Sequence, residues 1–146
     1  MFIFCGGGDD MKFYIASSFK NINQVRNLSA KLQSKGFVQT YDWTQNGRAS
    51  SYEALQQVGQ EEKQAVANSD FLVILLPAGK GSHIEFGIAL GLGKHIYICA
   101  PEKNYFDFSE TSTFYHIDGV QRFIGELEDF ASYLVEQEMR IIQGDI

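Results

Sequence analysis

The residues best placed to do chemistry follow an apolar run in the middle of the chain. Phe71 to Leu76 contains no polar residue and stops at Pro77, and Gly79-Lys80-Gly81-Ser82-His83-Ile84-Glu85 follows. Such a run is typical of a buried parallel strand, and ligands of open α/β sheets bind where these strands end. The sequence therefore places Glu85, in the first turn of a predicted helix, where a carboxylate can meet a substrate. A glutamate there can also simply favour the helix dipole.

A carboxylate beside a glycine-rich loop has three uses. It can attack an anomeric carbon as a nucleophile, act as a general base, or accept hydrogen bonds from sugar hydroxyls. The loop residues Gly79, Gly81, Ser82 and His83 are candidates for substrate binding, because backbone amides at such a position suit a hydroxyl, a carboxylate or a phosphate. The side chain of His83 either orients the substrate or is a loop histidine without a role.

Four further candidates end the first two predicted strands. Tyr14 and Ser17 lie at the end of the first strand, and Tyr14 can hydrogen-bond a carboxylate or a substrate oxygen, or pack in the core. Asp42 and Trp43 end the second strand at the same sheet edge. Trp43 can stack on a planar base, with core packing as the alternative. We expect all four to bind substrate.

A second carboxylate is available on the helix before Ser69-Asp70, where Glu61 and Glu62 stand next to each other. A pair of carboxylates allows one group to protonate a leaving base while the other attacks. A solvated helix face is the alternative, and it is the favoured interpretation of Glu61.

The hydrophobic pattern predicts strands and helices in alternation around these residues. The predicted strands are 13–16, 37–41, 71–76, 95–100 and 120–124, and the predicted helices are 21–35, 52–68, 85–92 and 126–137 or beyond. Alternation of this kind implies right-handed crossovers and a parallel sheet. We expect an α/β three-layer sandwich, flavodoxin- or Rossmann-like, with a mainly parallel sheet of four to five strands and helices on both faces.

The sequence also predicts the direction or the role of some residues within and between these elements. Leu55 and Val58 are expected to point inward from the second helix, and the polar stretch 45–51 is predicted to be a mobile loop. The small residues Gly87, Ala89 and Gly91 are expected to let the third helix pack closely on the sheet.

Composition excludes several classes of function. The 146 residues carry a net charge of -6 without a basic block, which disfavours binding to a nucleic-acid polymer. No run is long enough to span a membrane. Cys5, Cys99 and three scattered histidines form no metal-ligand spacing, and neither a P-loop nor a GxSxG motif occurs. We expect neither metal nor cofactor, a buried structural Cys99, and a cytoplasmic location.

The chain is expected to form one domain over residues 11–140. Residues 1–10 precede a second methionine, Met11, and are expected to be an N-terminal extension or arm. An upstream start or a cloning scar would account for them equally well.

From residue 11 to about 101 the chain resembles the nucleoside 2-deoxyribosyltransferase family and its deoxynucleoside-monophosphate N-glycosidase relatives. The resemblance rests on the strand Phe13–Ser17, on Ser69-Asp70 before the apolar strand, and on Gly81-Ser82-His83-Ile84-Glu85-Phe86-Gly87-Ile88-Ala89. It implies that Glu85 is the nucleophile and holds a covalent deoxyribosyl intermediate. It also implies that Glu62, eight residues before Asp70, assists the leaving base.

The resemblance has two departures and one implication for assembly. Gly79 stands where the better-known members have a polar residue, and Phe86 replaces their usual leucine. Members complete each site with a residue from a partner subunit, which implies a homo-oligomer, a dimer or higher. The aromatic segment Tyr105–Phe108 is a candidate interface.

The sequence thus predicts cleavage or transfer at the N-glycosidic bond of a small-molecule nucleoside or nucleotide. Two alternatives remain open. A nonenzymatic module could bind a nucleotide-like ligand in the same cleft, and the missing polar group at Gly79 slightly favours it. A TIR-like enzyme could cleave NAD, with Trp43 stacked on nicotinamide or adenine, but the spacing around Glu85 favours the first interpretation.

Overall fold

The computed structural model of the protein describes residues 10–144. Its strands are β1 (Lys12–Ser17), β2 (Val38–Gln39), β3 (Phe71–Leu75), β4 (His95–Ala100) and β5 (Val120–Ile124). Its α-helices are α1 (Ile22–Ser34), α2 (Tyr52–Asn68), α3 (Lys80–Gly91) and α4 (Leu127–Gln143). Short 3-10 helices follow β1, β2 and β4. The expected N-terminal arm and Cys5 lie outside the described residues, apart from Asp10.

All five strands are parallel, in the order β2-β1-β3-β4-β5. Helices α1 and α4 pack together on one face of the sheet, and α2 and α3 pack together on the other. The three-layer α/β sandwich predicted from the alternating pattern is confirmed. None of the helices within residues 10–144 is long and apolar enough to cross a membrane.

The core lies between the central strands and the two helix layers. Every residue of β3 is buried, as its unbroken apolar sequence requires, because both faces of that strand are covered by helices. Cys99 of β4 is also buried, and burial raises the pKa of its thiol to about 12. The expected burial of Cys99 is confirmed.

Two element boundaries differ from the sequence prediction. Strand β2 covers only Val38–Gln39, because it is the edge strand and pairs with β1 alone. Helix α3 begins at Lys80 rather than at Glu85. The glycines before Glu85 suggested a loop, yet Gly79 is the N-cap and Gly81 lies inside the first turn. Glu85 consequently lies in the second turn of the helix.

The expected role of the α3 glycines is wrong. Ala89 is fully buried and packs on the sheet, but Gly87 and Gly91 face outward. A methyl group added at either glycine would meet no atom within 4 Å. Packing inside this chain therefore does not require a glycine at either position.

A buried carboxylate ties α4 to β4 at the amino end of the strands. Glu138 is fully buried and accepts a hydrogen bond from the Tyr97 hydroxyl, and its Oε2 lies 3.3 Å from Nδ1 of His95. The contact with Glu138 raises the pKa of His95, and burial raises the pKa of Tyr97. This group lies at the opposite edge of the sheet from the carboxyl ends of the strands.

Candidate active site

The carboxyl ends of β1 and β3 meet at the topological switch point of the sheet. β1 leads through α1 to β2 on one side, whereas β3 leads through α3 to β4 on the other. The two chain segments diverge there and leave a crevice between them, which is where open α/β sheets bind ligands. The residues singled out from the sequence come to this edge because parallel strands all end at it.

A cavity of about 750 Å³ opens at this edge, within the range of volumes that hold small-molecule ligands. It is bounded by the segments after β1, β2 and β3 and by one side of α2. Its lining comprises Ser17, Ser18, Phe19, Trp43, Asn46, Gly47, Arg48, Ala49, Leu55, Val58, Glu62, Gly79, Gly81, Ser82 and Glu85. The structure thus brings together Glu85, Glu62, Ser17, Trp43, Gly79, Gly81 and Ser82 of the sequence-predicted set.

Glu85 reaches the cavity from α3 and is held by a buried tyrosine. The Tyr14 hydroxyl donates a hydrogen bond of 2.7 Å to Glu85 Oε2, and the Tyr14 side chain is fully buried in β1. Burial raises the pKa of Glu85 to about 7, against the opposing effect of the Tyr14 hydrogen bond. Tyr14 does not line the cavity itself, so its contact is with the carboxylate.

Glu62 supplies the second carboxylate from α2. It is half-buried, and burial raises its pKa above the ordinary glutamate value. Its negative charge also contributes to the raised pKa of Glu85, as expected for two like charges that face one space. Two carboxylates with raised pKa values in one cavity can divide the roles of nucleophile and acid.

Ser17 lines the cavity, but its hydroxyl hydrogen is already used. It donates to the Leu75 carbonyl at 2.8 Å and accepts from Asn21 Nδ2 at 3.0 Å, and the same amide donates to the Pro77 carbonyl. These bonds join the segments after β1 and β3. The Ser17 hydroxyl oxygen can therefore only accept a hydrogen bond from a ligand, and its observed partners are residues of the surrounding segments.

Trp43 shows the ligand little of its ring. The indole is 5% exposed, and its Nε1–H donates a 2.7 Å hydrogen bond to the Ile15 carbonyl. Phe19, by contrast, is 62% exposed and sits edge-on to Trp43 with ring centroids 5.1 Å apart. The aromatic surface available to a planar base is therefore that of Phe19, supported from behind by Trp43.

Asp42 and His83 lie outside the cavity lining. Asp42 Oδ1 caps the 3-10 helix after β2 by accepting from the Thr44 amide and hydroxyl. His83 has Nδ1 2.7 Å from the Gly79 carbonyl and Nε2 2.5 Å from the Tyr115 hydroxyl. Both side chains were expected to bind substrate, but in the structure they hydrogen-bond to residues of the segments that surround the cavity.

The N-terminus of α3 and an arginine place hydrogen-bond donors for an anion at the cavity. No side chain caps α3, so its first amides, at Lys80, Gly81 and Ser82, have no hydrogen-bond acceptor within residues 10–144. The exposed Arg48 also lines the cavity and makes no hydrogen bond or ion pair within that range. An anion is the ligand that helix amides and a guanidinium bind in common.

Sequence reasoning missed Phe19, Arg48 and the cavity-facing role of Leu55 and Val58. Leu55 was expected to point inward but is 55% exposed, because α2 lies along the cavity for its first turns. The loop that carries Arg48 is fixed to α2, since Asn46 and Glu61 both hydrogen-bond the Tyr41 hydroxyl. The only available signal was position, since Phe19 follows β1 at its carboxyl end.

Within residues 10–144, no group of three His, Cys, Asp or Glu side chains lies close enough to hold a metal ion.

Comparison with known proteins bears on the fold. No protein-family model matches the sequence, and no curated protein is significantly similar to it. Among solved structures, the chain is similar to the Clostridium botulinum CMP N-glycosidase BcmB, with a TM-score of 0.61 and 18% identity. The match covers 84% of this chain and 97% of that chain. It establishes a shared fold over nearly the whole length of BcmB.

Proposed function

We propose that this protein breaks the N-glycosidic bond of a nucleotide, with Glu85 as the nucleophile. The observation that carries the proposal is the partly buried Glu85 carboxylate, held by Tyr14 and facing a cavity that also contains Glu62. The fold shared with a CMP N-glycosidase supports the same class of reaction and substrate.

The two carboxylates divide the chemistry. Ionised Glu85 attacks the anomeric carbon while the bond to the base breaks, and a glycosyl ester forms on the enzyme. Glu62 in its protonated form gives its proton to the departing base. Its carboxylate then takes a proton from water, whose oxygen displaces Glu85 and releases the sugar with retained configuration. A second base in place of water would complete a transfer.

The raised pKa values suit these roles. A pKa of about 7 leaves Glu85 partly ionised near neutral pH, and the Tyr14 hydrogen bond favours the ionised form. The raised pKa of Glu62 increases the fraction that carries a proton to donate.

The lining of the cavity indicates how a nucleotide would bind. The ring of Phe19 and the side chains of Leu55 and Val58 form an apolar wall for the base. Arg48 and the uncapped amides of α3 can hold a phosphate. Arg48 and the amides would then bind the phosphate at a place where Gly79 offers no side chain to do so.

Base release tests the proposal directly. We would incubate the protein with cytidine, deoxycytidine, CMP, dCMP, the other nucleoside monophosphates and NAD, and measure free base chromatographically. We expect release from a nucleoside monophosphate and its loss in Glu85→Gln, while the control Glu53→Gln, on the exposed first turn of α2, keeps the wild-type rate. An intact-mass increase equal to one sugar phosphate, absent in Glu85→Gln, would identify the covalent intermediate.

A nonenzymatic binding module is the competing function. If no base is released from any compound while calorimetry detects tight binding of a nucleotide, Glu85 is a ligand-binding residue and the proposal is wrong. Release from NAD alone would instead identify the NAD-cleaving alternative.

A further inference from the structure

Helix α3 begins at a residue that cannot cap it with a side chain. Gly79 is the N-cap, a position at which Asn, Asp, Ser or Thr usually accepts hydrogen bonds from the amides of the first turn. A glycine leaves these amides open to a ligand, but it also brings the largest backbone freedom of any residue. Ordering the start of α3 therefore requires a contact from elsewhere.

The side chain of His83 supplies this contact. The Gly79 carbonyl accepts two hydrogen bonds, one from the His83 amide at 3.2 Å and one from His83 Nδ1 at 2.7 Å. In a trans peptide the C=O and the following N–H lie in one plane and point in opposite directions. Because the Gly79 carbonyl is held toward the helix, the Lys80 N–H is held toward the open end of α3. Gly79 and Gly81, on either side of Lys80, line the cavity.

The two partners of the His83 ring assign its tautomer. A carbonyl oxygen can only accept, so Nδ1 carries the proton that is donated to Gly79. Nε2 of the neutral ring is then an acceptor, and it lies 2.5 Å from the Tyr115 hydroxyl. Burial raises the pKa of Tyr115, so this hydroxyl keeps the proton that it donates. Since the hydrogen bond at one ring nitrogen sets the state of the other, Tyr115 selects the tautomer that can donate to Gly79.

Tyr115 is held in place by its own neighbours. Its buried ring packs edge-on against Phe86 and Phe106, with centroid distances of 5.9 and 6.0 Å. It lies 25° from the plane of the His83 ring. Arg122 of β5 donates from Nη1 to the Tyr115 carbonyl at 2.7 Å. A hydroxyl group on a side chain fixed in this way can keep the His83 ring in one orientation.

We propose that Tyr115 is a positioning residue for the cavity and acts through His83 on the peptide group between Gly79 and Lys80. Tyr115 lies outside the lining of the cavity. Its hydroxyl keeps His83 in the form that donates to Gly79, and that hydrogen bond keeps the first amides of α3 directed at an anion. The phosphate bound there rests on the proposed function, whereas the tautomer of His83 does not.

The ¹⁵N NMR signals of the histidine rings test this role without any substrate. The chain has three histidines, and His83→Asn identifies the signals of His83 by their loss. At about pH 8.5, above the ordinary range of histidine pKa values, we expect the wild-type proton on Nδ1. In Tyr115→Phe the ring contacts remain but Nε2 loses its donor, so the proton exchanges between both nitrogens and their shifts converge. Tyr133→Phe removes a hydroxyl that donates to Gln121 instead, and it should leave the His83 signals unchanged.

Titration with inorganic phosphate tests the effect on the amides of α3. We would follow the backbone amide signals of residues 80–82 and determine Kd. Loss of one neutral hydrogen bond weakens binding about two- to ten-fold, so the phosphate Kd should rise by that factor in Tyr115→Phe and stay unchanged in Tyr133→Phe. The side-chain amide of His83→Asn can donate to Gly79 from the place of Nδ1, so this variant should bind phosphate like the wild type. Adding Tyr115→Phe to it should have no further effect.

Several results would overturn the role of Tyr115. They are a wild-type His83 with its proton on Nε2, ring signals that do not change in folded Tyr115→Phe, and a phosphate Kd equal in Tyr115→Phe and the wild type. Absence of phosphate binding to the wild-type amides would overturn it as well. The expected shifts and Kd changes in a protein that releases no base would instead refute the proposed function and support the positioning role.

Discussion

The hydrogen bond from Tyr14 to Glu85 allows a prediction of how the rate of base release depends on pH. The bond is 2.7 Å long, and it favours the ionised form of a carboxyl group whose burial raises its pKa to about 7. Replacing Tyr14 by phenylalanine removes the donor but keeps the ring that fills the core. Glu85 then loses the interaction that offsets its burial, and its pKa rises further.

The size of the effect follows from ordinary magnitudes. A hydrogen bond to a charged group contributes about 1.5–3 kcal/mol, and about 1.4 kcal/mol corresponds to one pH unit. The acid limb of the pH–rate profile should therefore move about one to two pH units upward in Tyr14→Phe. At pH 7 the ionised fraction falls from about half to about a tenth or a hundredth, which lowers the rate about five- to fifty-fold.

The assay is the pH profile of base release for the wild type and Tyr14→Phe. The lost activity should return as pH rises, because the group that must ionise is still present. Tyr97→Phe is the control, since Tyr97 also donates to a buried carboxylate but does so at the other edge of the sheet. A carboxyl ¹³C titration of Glu85 gives the same comparison without turnover. An acid limb and a titration midpoint that stay in place in folded Tyr14→Phe would refute the reasoning.

Three further predictions concern the second carboxylate, the aromatic wall and the amino edge of the sheet. Glu62→Gln should lower the rate of base release about 10²- to 10⁴-fold by removing the general acid. The control Glu61→Gln should keep most of the rate, and equal losses in the two variants would show that Glu62 has no special role. Phe19→Ala should raise KM at least about five-fold, since stacking of one base contributes about 1–3 kcal/mol, and an unchanged KM would place the base elsewhere. Glu138 raises the pKa of His95. Below about pH 6 the free energy of unfolding in urea should therefore be larger for the wild type than for His95→Gln. The difference should shrink as pH rises through the raised pKa of His95. Because the His95 side chain is 44% exposed, the difference should be at most about 1 kcal/mol. A difference that widens as pH rises would contradict the assignment.

The α/β architecture could be predicted from the sequence because its signals are local. Unbroken apolar runs such as 71–76 occur where helices cover both faces of a strand, and the alternation with helices leaves few topologies. The same logic predicted that Glu85 lies near the carboxyl edge, because parallel strands end at a common edge. Glu62 was nominated by the family resemblance, and the structure places both carboxylates in one cavity.

Side-chain direction at that edge could not be predicted in the same way. Whether Trp43 or Phe19 shows its ring to a ligand depends on a hydrogen bond from the indole to Ile15, 28 residues away. The contact of His83 with Tyr115 likewise exists only after the segment following β4 has folded back onto α3. A sequence pattern carries no information on such partners.

The sequence by itself therefore determined the layers, the helix and strand types, and the position of the candidate carboxylate Glu85, because hydrophobic periodicity and strand order act locally. The tertiary structure decided how those carboxylates ionise, since the pKa of Glu85 depends on burial, on Tyr14 in another strand and on Glu62 in another helix. It also decided that Gly87 and Gly91 face outward rather than toward the sheet. Solvent exclusion and electrostatic neighbours are properties of the packed chain.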